Sequence, residues 1–407
     1  MTTHIRLGLP RWCFVLLIVT LVGCASVPER HPLPREYTNK AGIAGIPDAR
    51  SWGDEWPTFS AKRFATFTEN DFRREYPNSY DRPHNYLAIS GGGANGAYGA
   101  GLLVGWTASG TRPEFNMVTG VSTGALTAPF AFLGADYDAK LETVYTTTTT
   151  KDVVRKRNPI AAVFSDSMAD TTPLAALIAK LIDADMIAAI AREHKKGRRL
   201  FIGTVNLDAG RPVIWNIGAI AASDHPRKVE LIHDILRASA AIPVAFPPVV
   251  ISVEADGKPY DEMHVDGGTG SQVFVYPAAT DWKVIAQKLK VHGKPHVYVI
   301  RNSFLDPSYE GVNRNVLPIA SRTIDSLIRT QGIGDIYQIY ALCERDGNDF
   351  NLAYIPSDFT DEPSEGFDPV YMKKLFERGY QMAREGYPWK KEPPGYAVLP
   401  EAATGSR

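Results

Sequence analysis

The stretch from Ile89 to Gly101, ISGGGANGAYGAG, constrains the fold of this chain more than any other. It follows the apolar run Tyr86–Ile89, which predicts a strand, and its glycines allow turns that bulkier residues resist. Gly91, Gly93 and Gly96 fit the dinucleotide-binding pattern G-x-G-x-x-G, in which backbone N–H groups hold a pyrophosphate. The same N–H groups could instead face the oxyanion of an ester under attack.

A second glycine motif follows the next predicted strand, Phe115–Thr119. The run Gly120-Val121-Ser122-Thr123-Gly124 matches G-x-S-x-G, the nucleophile elbow, in which a serine on a sharp strand-to-helix turn stands clear of the sheet. A dinucleotide site needs an acidic residue at the end of this strand, and Gly120 and Ser122 occupy that place. We therefore interpret Gly91–Gly93 as oxyanion donors beside a Ser122 nucleophile.

A serine nucleophile also needs a base. The segment His264-Val265-Asp266-Gly267-Gly268 ends an apolar strand on which His264 and Asp266 share a face. Asp266 could act alone, or a Ser-His-Asp triad could use His264, His292 or His296. The residue pattern leaves both arrangements open.

Taken in order, the three motifs resemble those of the patatin-like phospholipase family, and Arg237–Pro243 resembles a fourth family block. The resemblance covers about residues 85–268. It implies a three-layer α/β/α sandwich with a mostly parallel central sheet, and acyl-ester hydrolysis by a Ser-Asp dyad without histidine, metal or cofactor. Carried over residue by residue, it makes Ser122 the nucleophile, Asp266 the base and Gly91, Gly92 and Gly93 the oxyanion hole. The glycines that support the motifs are Gly96, Gly120, Gly124, Gly267 and Gly268.

The chain departs from the family pattern at Asn95 and Ser90, where many relatives have Arg or Lys and Asp, respectively. The change at Asn95 removes a cation beside the oxyanion loop and weakens the expectation of an anionic head group. The dyad has a requirement of its own, because free Asp, with a pKa of about 3.9, is a weak base. We expect Asp266 to lie in a desolvated cleft that raises its pKa.

The N-terminus predicts export. Arg6 and Arg11 precede the apolar run Trp12–Val22, which is too short for a comfortable membrane span and typical of a signal peptide. It ends Leu21-Val22-Gly23-Cys24, which resembles a bacterial lipobox and implies lipidation of Cys24. Ala25, rather than Asp, favours the outer membrane, facing the periplasm or the cell surface. A plain signal peptide or anchor is the alternative.

The domain organisation follows from these motifs and from the alternation of strands and helices, which predicts an α/β domain. We expect a lipoprotein signal peptide at 1–23, a proline-rich lipid-anchored tether and wrapping segment at 24–83, a catalytic domain at 84–360, and a C-terminal helix and tail at 361–407. Within these, 249–254 and 260–265 predict a hairpin, and 316–331 and 369–385 predict long helices.

Composition narrows the functional classes. The chain has 407 residues with 44% hydrophobic and 22% charged content, which is ordinary for a globular protein. Its formal net charge of −1 gives no reason to expect nucleic acid, and protein partners are left open. The leading hypothesis is a membrane-tethered lipid acyl hydrolase, phospholipase A-like or an esterase, acting on a membrane lipid. The alternative is a catalytically silent lipoprotein that binds lipid or a partner on the same scaffold.

Overall fold

The computed structural model describes residues 29–156, 167–307, 309 and 311–396. The predicted signal peptide, Cys24 and the end of the C-terminal tail lie outside these residues. Within them, nine strands form one sheet. These are β1 (Arg50–Trp52), β2 (Asn85–Ile89), β3 (Met117–Val121), β6 (Arg199–Asn206), β7 (Arg211–Asn216), β8 (Val249–Ala255), β9 (Lys258–Asp266), β10 (His296–Arg301) and β11 (Asp349–Tyr354), while β4 (Arg155–Lys156) and β5 (Ala169–Asp170) form a separate ribbon.

The sheet follows the order β1-β7-β6-β3-β2-β10-β11, with β9 also pairing β6 and β8 pairing β9. Five neighbouring strands of this order, β6-β3-β2-β10-β11, are mutually parallel. The strands β1, β7, β8 and β9 are joined by antiparallel pairings. The parallel strands β2 and β3 are buried along almost their whole length, as expected for strands covered on both faces.

Helices cover both faces of the sheet. They are α1 (Thr58–Thr66), α2 (Glu69–Glu75), α3 (Gly96–Ala108), α4 (Thr123–Leu133), α5 (Asp138–Thr147), α6 (Thr150–Val153), α7 (Thr172–Leu181), α8 (Ala184–Lys195), α9 (Ile217–Ala222), α10 (Lys228–Ser239), α11 (Trp282–Lys288), α12 (Val316–Asp346) and α13 (Pro369–Arg384). No described helix has the length and apolar character needed to cross a bilayer.

Alternate side chains of β2 enter two different cores. Leu87 and Ile89 join the core formed with helices α3–α5, α7–α10 and α13, while Tyr86 and Ala88 join the core formed with α1, α2, α11 and α12. This is the period-two alternation of a strand that lies between two helical layers. The prediction of a three-layer α/β/α sandwich with a mostly parallel sheet is confirmed.

Residues 29–83, within the segment expected to be a tether and wrapping segment, contain one strand and two α-helices. β1 pairs antiparallel with β7 at the sheet edge, and Phe64 of α1 and Phe72 of α2 are buried in the second core. Thr68 and Asp71 form a capping box that starts α2. Residues 29–83 therefore belong to the folded body of the protein.

The C-terminal helix α13 lies directly against α3, the helix that follows the glycine loop. A Cβ at Gly101 would overlap the backbone carbonyl of Phe376, and one at Gly105 would overlap that of Tyr380. Glycine therefore allows the two backbones to approach closely. The first helix after the loop is thus positioned by the last helix of the described chain.

Candidate active site

The loop after β3 forms a strained elbow at Ser122. Ser122 has φ 55° and ψ −125°, a conformation that costs free energy for a residue with a side chain. Gly120 and Gly124 permit the turn, because a Cβ at either would overlap neighbouring backbone atoms. The turn places Ser122 at the carboxyl end of β3 and directly before the N-terminus of α4, where the helix dipole favours negative charge.

Ser239, the last residue of α10, stabilises this elbow by a hydrogen bond. The backbone N–H of Ser122 donates to Ser239 Oγ at 3.0 Å, and the Ser239 hydroxyl donates to the carbonyl of Gly203 at 2.6 Å. Ser239 is fully buried. Ser239 belongs to the block Arg237–Pro243 that resembles the family, but its role could not be predicted, because its partners Ser122 and Gly203 lie far away along the chain.

Asp266 lies at the carboxyl end of β9, opposite Thr204 of β6. Its Oδ1 accepts the backbone N–H of Gly268 at 2.7 Å, while Oδ2 is buried and has no hydrogen-bond partner among the described residues. Burial raises the pKa of Asp266 to about 7, although the nearby Ser122 hydroxyl and the Gly268 N–H act in the opposite direction. A carboxyl with this pKa can take up a proton near neutral pH.

The glycine loop lies against Ser122. A Cβ placed on Gly91 would be 3.8 Å from Ser122 Oγ, so the loop and Ser122 are neighbours, as the pairing of β2 with β3 requires. The N–H of Gly91, however, donates to the carbonyl of Gln272 at 3.1 Å. This donor was expected to face an oxyanion, and the bond to Gln272 instead fixes the loop in place.

Gly92 and Gly93 retain free donors. Neither N–H makes a hydrogen bond to any described residue, and both residues line the cleft in front of Ser122. Their φ values of 156° and 56° lie in the region that favours glycine. A Cβ on Gly92 would also overlap the carbonyl of Asn302. Of the three glycines expected to supply oxyanion donors, Gly92 and Gly93 are the two whose N–H groups have no described partner.

The three candidate histidines do not reach the cleft. His264 is fully buried, with Nδ1 3.0 Å from Thr204 Oγ1 and Nε2 3.2 Å from Glu262 Oε2, so both ring nitrogens are occupied. His292 and His296 contact Asp81 and Asp349. His296 begins β10, at the opposite end of the parallel strands from Ser122. No described histidine lines the cleft.

Two cavities of different character meet at Ser122. One is an open cleft of about 730 Å³ with mixed polar and charged walls, which contains Asp266 and the glycine loop. The other is a pocket of about 230 Å³ between α4, α5 and α7. Its walls are mainly aliphatic and aromatic, including Leu126, Phe130, Leu174 and Leu177. Ser122 and Gly93 line both cavities.

Asn95 faces the same cleft and is held by the C-terminal helix. The Tyr371 hydroxyl of α13 donates to Asn95 Oδ1 at 2.7 Å. Burial raises the pKa of Tyr371 to about 12, so it is a neutral donor at physiological pH. At this position of the loop the chain therefore presents a neutral, hydrogen-bonded pair.

Gln272 joins the parts of the site and was missed by sequence reasoning. Its carbonyl accepts the Gly91 N–H, its Nε2 donates to the Gly268 carbonyl at 2.9 Å, and its own N–H donates to Asp335 Oδ2 at 2.6 Å. It thereby links the glycine loop, the loop after Asp266 and helix α12. The only sequence feature that pointed to a role for Gln272 was its position four residues after Gly268.

Among the described residues, no group of three or more His, Cys, Asp or Glu side chains is arranged to hold a metal ion. The sole cysteine described, Cys343, is buried in the second core, and burial raises the pKa of its thiol to about 12. It therefore has little of the thiolate character that a nucleophile or metal ligand needs.

Comparisons with known proteins give a match to one family. Residues 87–279 match the model of the patatin-like phospholipase family. Among solved structures, the chain is similar to VipD from Legionella pneumophila, with 12% identity and a TM-score of 0.36, covering 75% of this chain and 67% of that one. It is also similar to a complex of SpcU with ExoU from the type III secretion system of Pseudomonas aeruginosa, with 15% identity and a TM-score of 0.23, covering 75% of this chain and 52% of that one. No curated protein matches the chain.

Proposed function

We propose that this chain, which carries a patatin-like phospholipase domain over residues 87–279, hydrolyses the acyl ester of a lipid with a Ser122–Asp266 dyad. One observation carries the proposal: Ser122 lies where a polar cleft containing Asp266 meets an apolar pocket. An amphipathic ester has parts that match both cavities, because its acyl chain gains free energy when it leaves water and its polar part does not.

The geometry supports a two-step reaction. Ser122 Oγ attacks the ester carbonyl while Asp266 takes the hydroxyl proton, which its raised pKa allows near neutral pH. The N–H groups of Gly92 and Gly93 stabilise the oxyanion, and each such donor is typically worth about 3–4 kcal/mol. The alcohol leaves with the proton from Asp266. Water activated by Asp266 then releases the fatty acid from the acyl-enzyme.

A fluorophosphonate probe tests the nucleophile directly. We expect it to label the purified wild-type chain, and hydrolysis of 4-nitrophenyl butyrate to accompany the labelling. Ser122→Ala should abolish both, whereas Ser321→Ala, at an exposed position of α12, should change neither. Full esterase activity in Ser122→Ala would refute the proposal. Absence of both labelling and turnover in the wild type would favour a catalytically silent lipid-binding protein.

We further propose that the chain is a lipoprotein of a bacterial cell envelope, anchored through Cys24. The support is the sequence Leu21-Val22-Gly23-Cys24 after a short apolar run. A radiolabelled fatty acid should be incorporated into the wild-type chain and not into Cys24→Ser. Labelling that persists in Cys24→Ser would contradict the anchor, and fractionation of the envelope would show which membrane holds the chain.

A further inference from the structure

Arg301 is a buried cation that the mechanism above does not use. It ends β10, is 2% exposed, and lines the same cleft as Ser122. Its Nη1 makes one long hydrogen bond of 3.4 Å to Gln272 Oε1, and its Nε has no partner among the described residues. A guanidinium has five N–H donors, and burying them without acceptors is costly. The group is therefore poised to bind an anion.

The nearest carboxylate does not fill this role. Asp335 raises the pKa of Arg301 through its charge, but no described carboxylate forms an ion pair with Arg301, and Asp335 Oδ2 accepts backbone N–H groups of Gln272 and Val273. Burial outweighs this effect and lowers the pKa of Arg301 to about 10. The guanidinium therefore keeps its proton at neutral pH.

A second unpaired arginine lies close by. The Arg301 guanidinium contacts α12 at Gly332, where a Cβ would overlap it. Arg329 precedes Gly332 by three residues and hence lies on the same face of the helix. It is half-buried, lines the cleft, and makes no ion pair or hydrogen bond with any described residue. Two cations thus face one cleft, and neither forms an ion pair with a described carboxylate.

Gln272 places this cation pair beside the reacting atoms. Its Oε1, the acceptor for Arg301, is 3.1 Å from the point where a Cβ on Gly91 would lie, and that point is 3.8 Å from Ser122 Oγ. One side chain therefore separates Arg301 from the glycine loop and the nucleophile. An anion held by Arg301 would belong to the same small molecule whose ester is attacked.

The outer wall of the cleft carries the opposite charge. Asp306 and Glu362 are exposed, line the cleft, and have no ion-pair partner among the described residues. Arg322 and Asp325 also line the cleft, and their opposite charges add no net charge to its wall. Arg301 and Arg329 are thus less exposed than Asp306 and Glu362. The exposed carboxylates disfavour a ligand with a second negative charge at its outer end.

We propose that Arg301 and Arg329 bind the phosphodiester of a zwitterionic phospholipid, and that Asp306 and Glu362 face its cationic amine. Arginine suits this ligand because its planar donors match phosphate oxygens in pairs. The inference rests on the proposed function in taking the ester substrate as a lipid. It names residues that set the choice among such lipids, and it predicts binding whether or not turnover occurs.

Calorimetric titration of the full chain with Ser122→Ala separates binding from hydrolysis. Dihexanoyl-phosphatidylcholine below its micelle concentration should bind saturably and more tightly than dihexanoylglycerol, which lacks the phosphate. Adding Arg301→Met or Arg329→Ala should weaken phosphatidylcholine binding roughly 10- to 100-fold, the usual range for lost bonds to a charged group. Dihexanoylglycerol binding should change far less. Arg227→Ala, an exposed arginine paired with Glu230, is the matched control.

Further arms decide the ligand. Dihexanoyl-phosphatidylglycerol, which is anionic, should bind more weakly than phosphatidylcholine, and Asp306→Asn with Glu362→Gln should reduce the difference. Equal binding of phosphatidylcholine and dihexanoylglycerol, or tighter binding of phosphatidylglycerol, would overturn the proposal. So would tight binding of inorganic phosphate without phosphatidylcholine binding. Thermal melting shows whether Arg301→Met or Arg301→Lys fails to fold. If both fail, phosphatidylcholine binding by Arg329→Ala tests the proposal. Failure of the proposed function would appear separately, as wild-type chain that binds lipid without turnover.

Discussion

Ser239 accepts the backbone N–H of Ser122, so the hydroxyl of one serine supports the turn that presents the other. The Ser239 hydroxyl also donates to Gly203, which ties α10, β3 and β6 together at the elbow. Each of these contacts gives a buried backbone group a hydrogen-bond partner. Ser239 is therefore a positioning residue for the proposed nucleophile.

Ser239→Ala should lower both stability and turnover. The substitution leaves the buried Ser122 N–H without an acceptor, which typically costs about 1–3 kcal/mol. Denaturant unfolding measures the loss of unfolding free energy. The kcat on 4-nitrophenyl butyrate should also fall, and Ser239→Thr should retain part of the wild-type kcat. Ser321→Ala is the control at an exposed site. Unchanged stability and kcat in Ser239→Ala would show that the contact does not support the elbow.

The esterase rate should rise with pH through about 7, because Asp266 must lose its proton to act as base and burial raises its pKa to about 7. A profile of kcat/KM between pH 5 and 9 measures this ionisation. A profile that is already flat at pH 5, as an ordinary carboxylate would give, contradicts the assignment of Asp266 as a desolvated base.

Asp266→Asn should be inactive and yet more stable than the wild type at high pH. The folded-state pKa of Asp266 lies above its unfolded value, so its stabilising contribution is complete below about pH 4 and is lost as pH rises through about 7. Between pH 5 and 8 the unfolding free energy of the wild type should fall by about 2–3 kcal/mol relative to Asp266→Asn. The exposed Asp224→Asn should show no such difference, and parallel pH curves for Asp266→Asn and wild type would refute it.

Histidine substitutions should separate a dyad from a triad. His292→Ala and His296→Ala should keep kcat/KM within about twofold, since both lie away from the cleft. His264→Ala should lower the melting temperature, because it breaks buried contacts with Thr204 and Glu262. A loss of kcat comparable to that of Ser122→Ala, with unchanged melting, at any of the three would replace the dyad by a triad.

Leu177→Trp should shorten the preferred acyl chain. Leu177 is half-buried on α7 and lines the apolar pocket, so a larger side chain there occupies space that an acyl chain would need. The ratio of kcat/KM for a decanoyl ester to that for a butyryl ester should fall about tenfold or more. Leu177→Ala is the matched control and should not lower the ratio. An unchanged ratio in Leu177→Trp would mean that the acyl chain lies elsewhere.

The parallel strands were predictable because buried apolar runs mark them and glycine motifs end them. The strand expected at 86–89 agrees within one residue with β2, Asn85–Ile89. The strand expected at 115–119 lies two residues later, at Met117–Val121, where Met117 pairs with Tyr86. A local pattern cannot show this pairing, because register depends on the neighbouring strand.

Other elements depended on distant contacts. β1, with the sequence Arg-Ser-Trp, has no strand pattern of its own and is defined by its pairing with β7. The long helix expected at 316–331 continues to Asp346 as α12, past Gly332 and Gly334, because Ile336, Ile339 and Cys343 are buried in the second core. Tertiary packing here overrides the low helix propensity of glycine.

The catalytic motifs could be found in the sequence, but their supports could not. Ser122 and Asp266 are marked by the glycines around them, whereas Ser239, Gln272 and Arg301 come from other elements and have unremarkable neighbours. Each acts through a side-chain contact across more than twenty residues of sequence. Such contacts depend on the whole fold rather than on a spacing.

The position of β2 at the centre of the sheet has a consequence for the synthesis of the chain. β3 covers one edge of β2 soon after it is made, but the other edge pairs with β10, which begins only at His296. Until the ribosome has released that strand, a central strand bearing the glycine loop presents unpaired N–H and C=O groups to its surroundings. Nascent chains that end before β10 should be prone to association, so the order of emergence, rather than final stability, would set the demand for chaperones during synthesis.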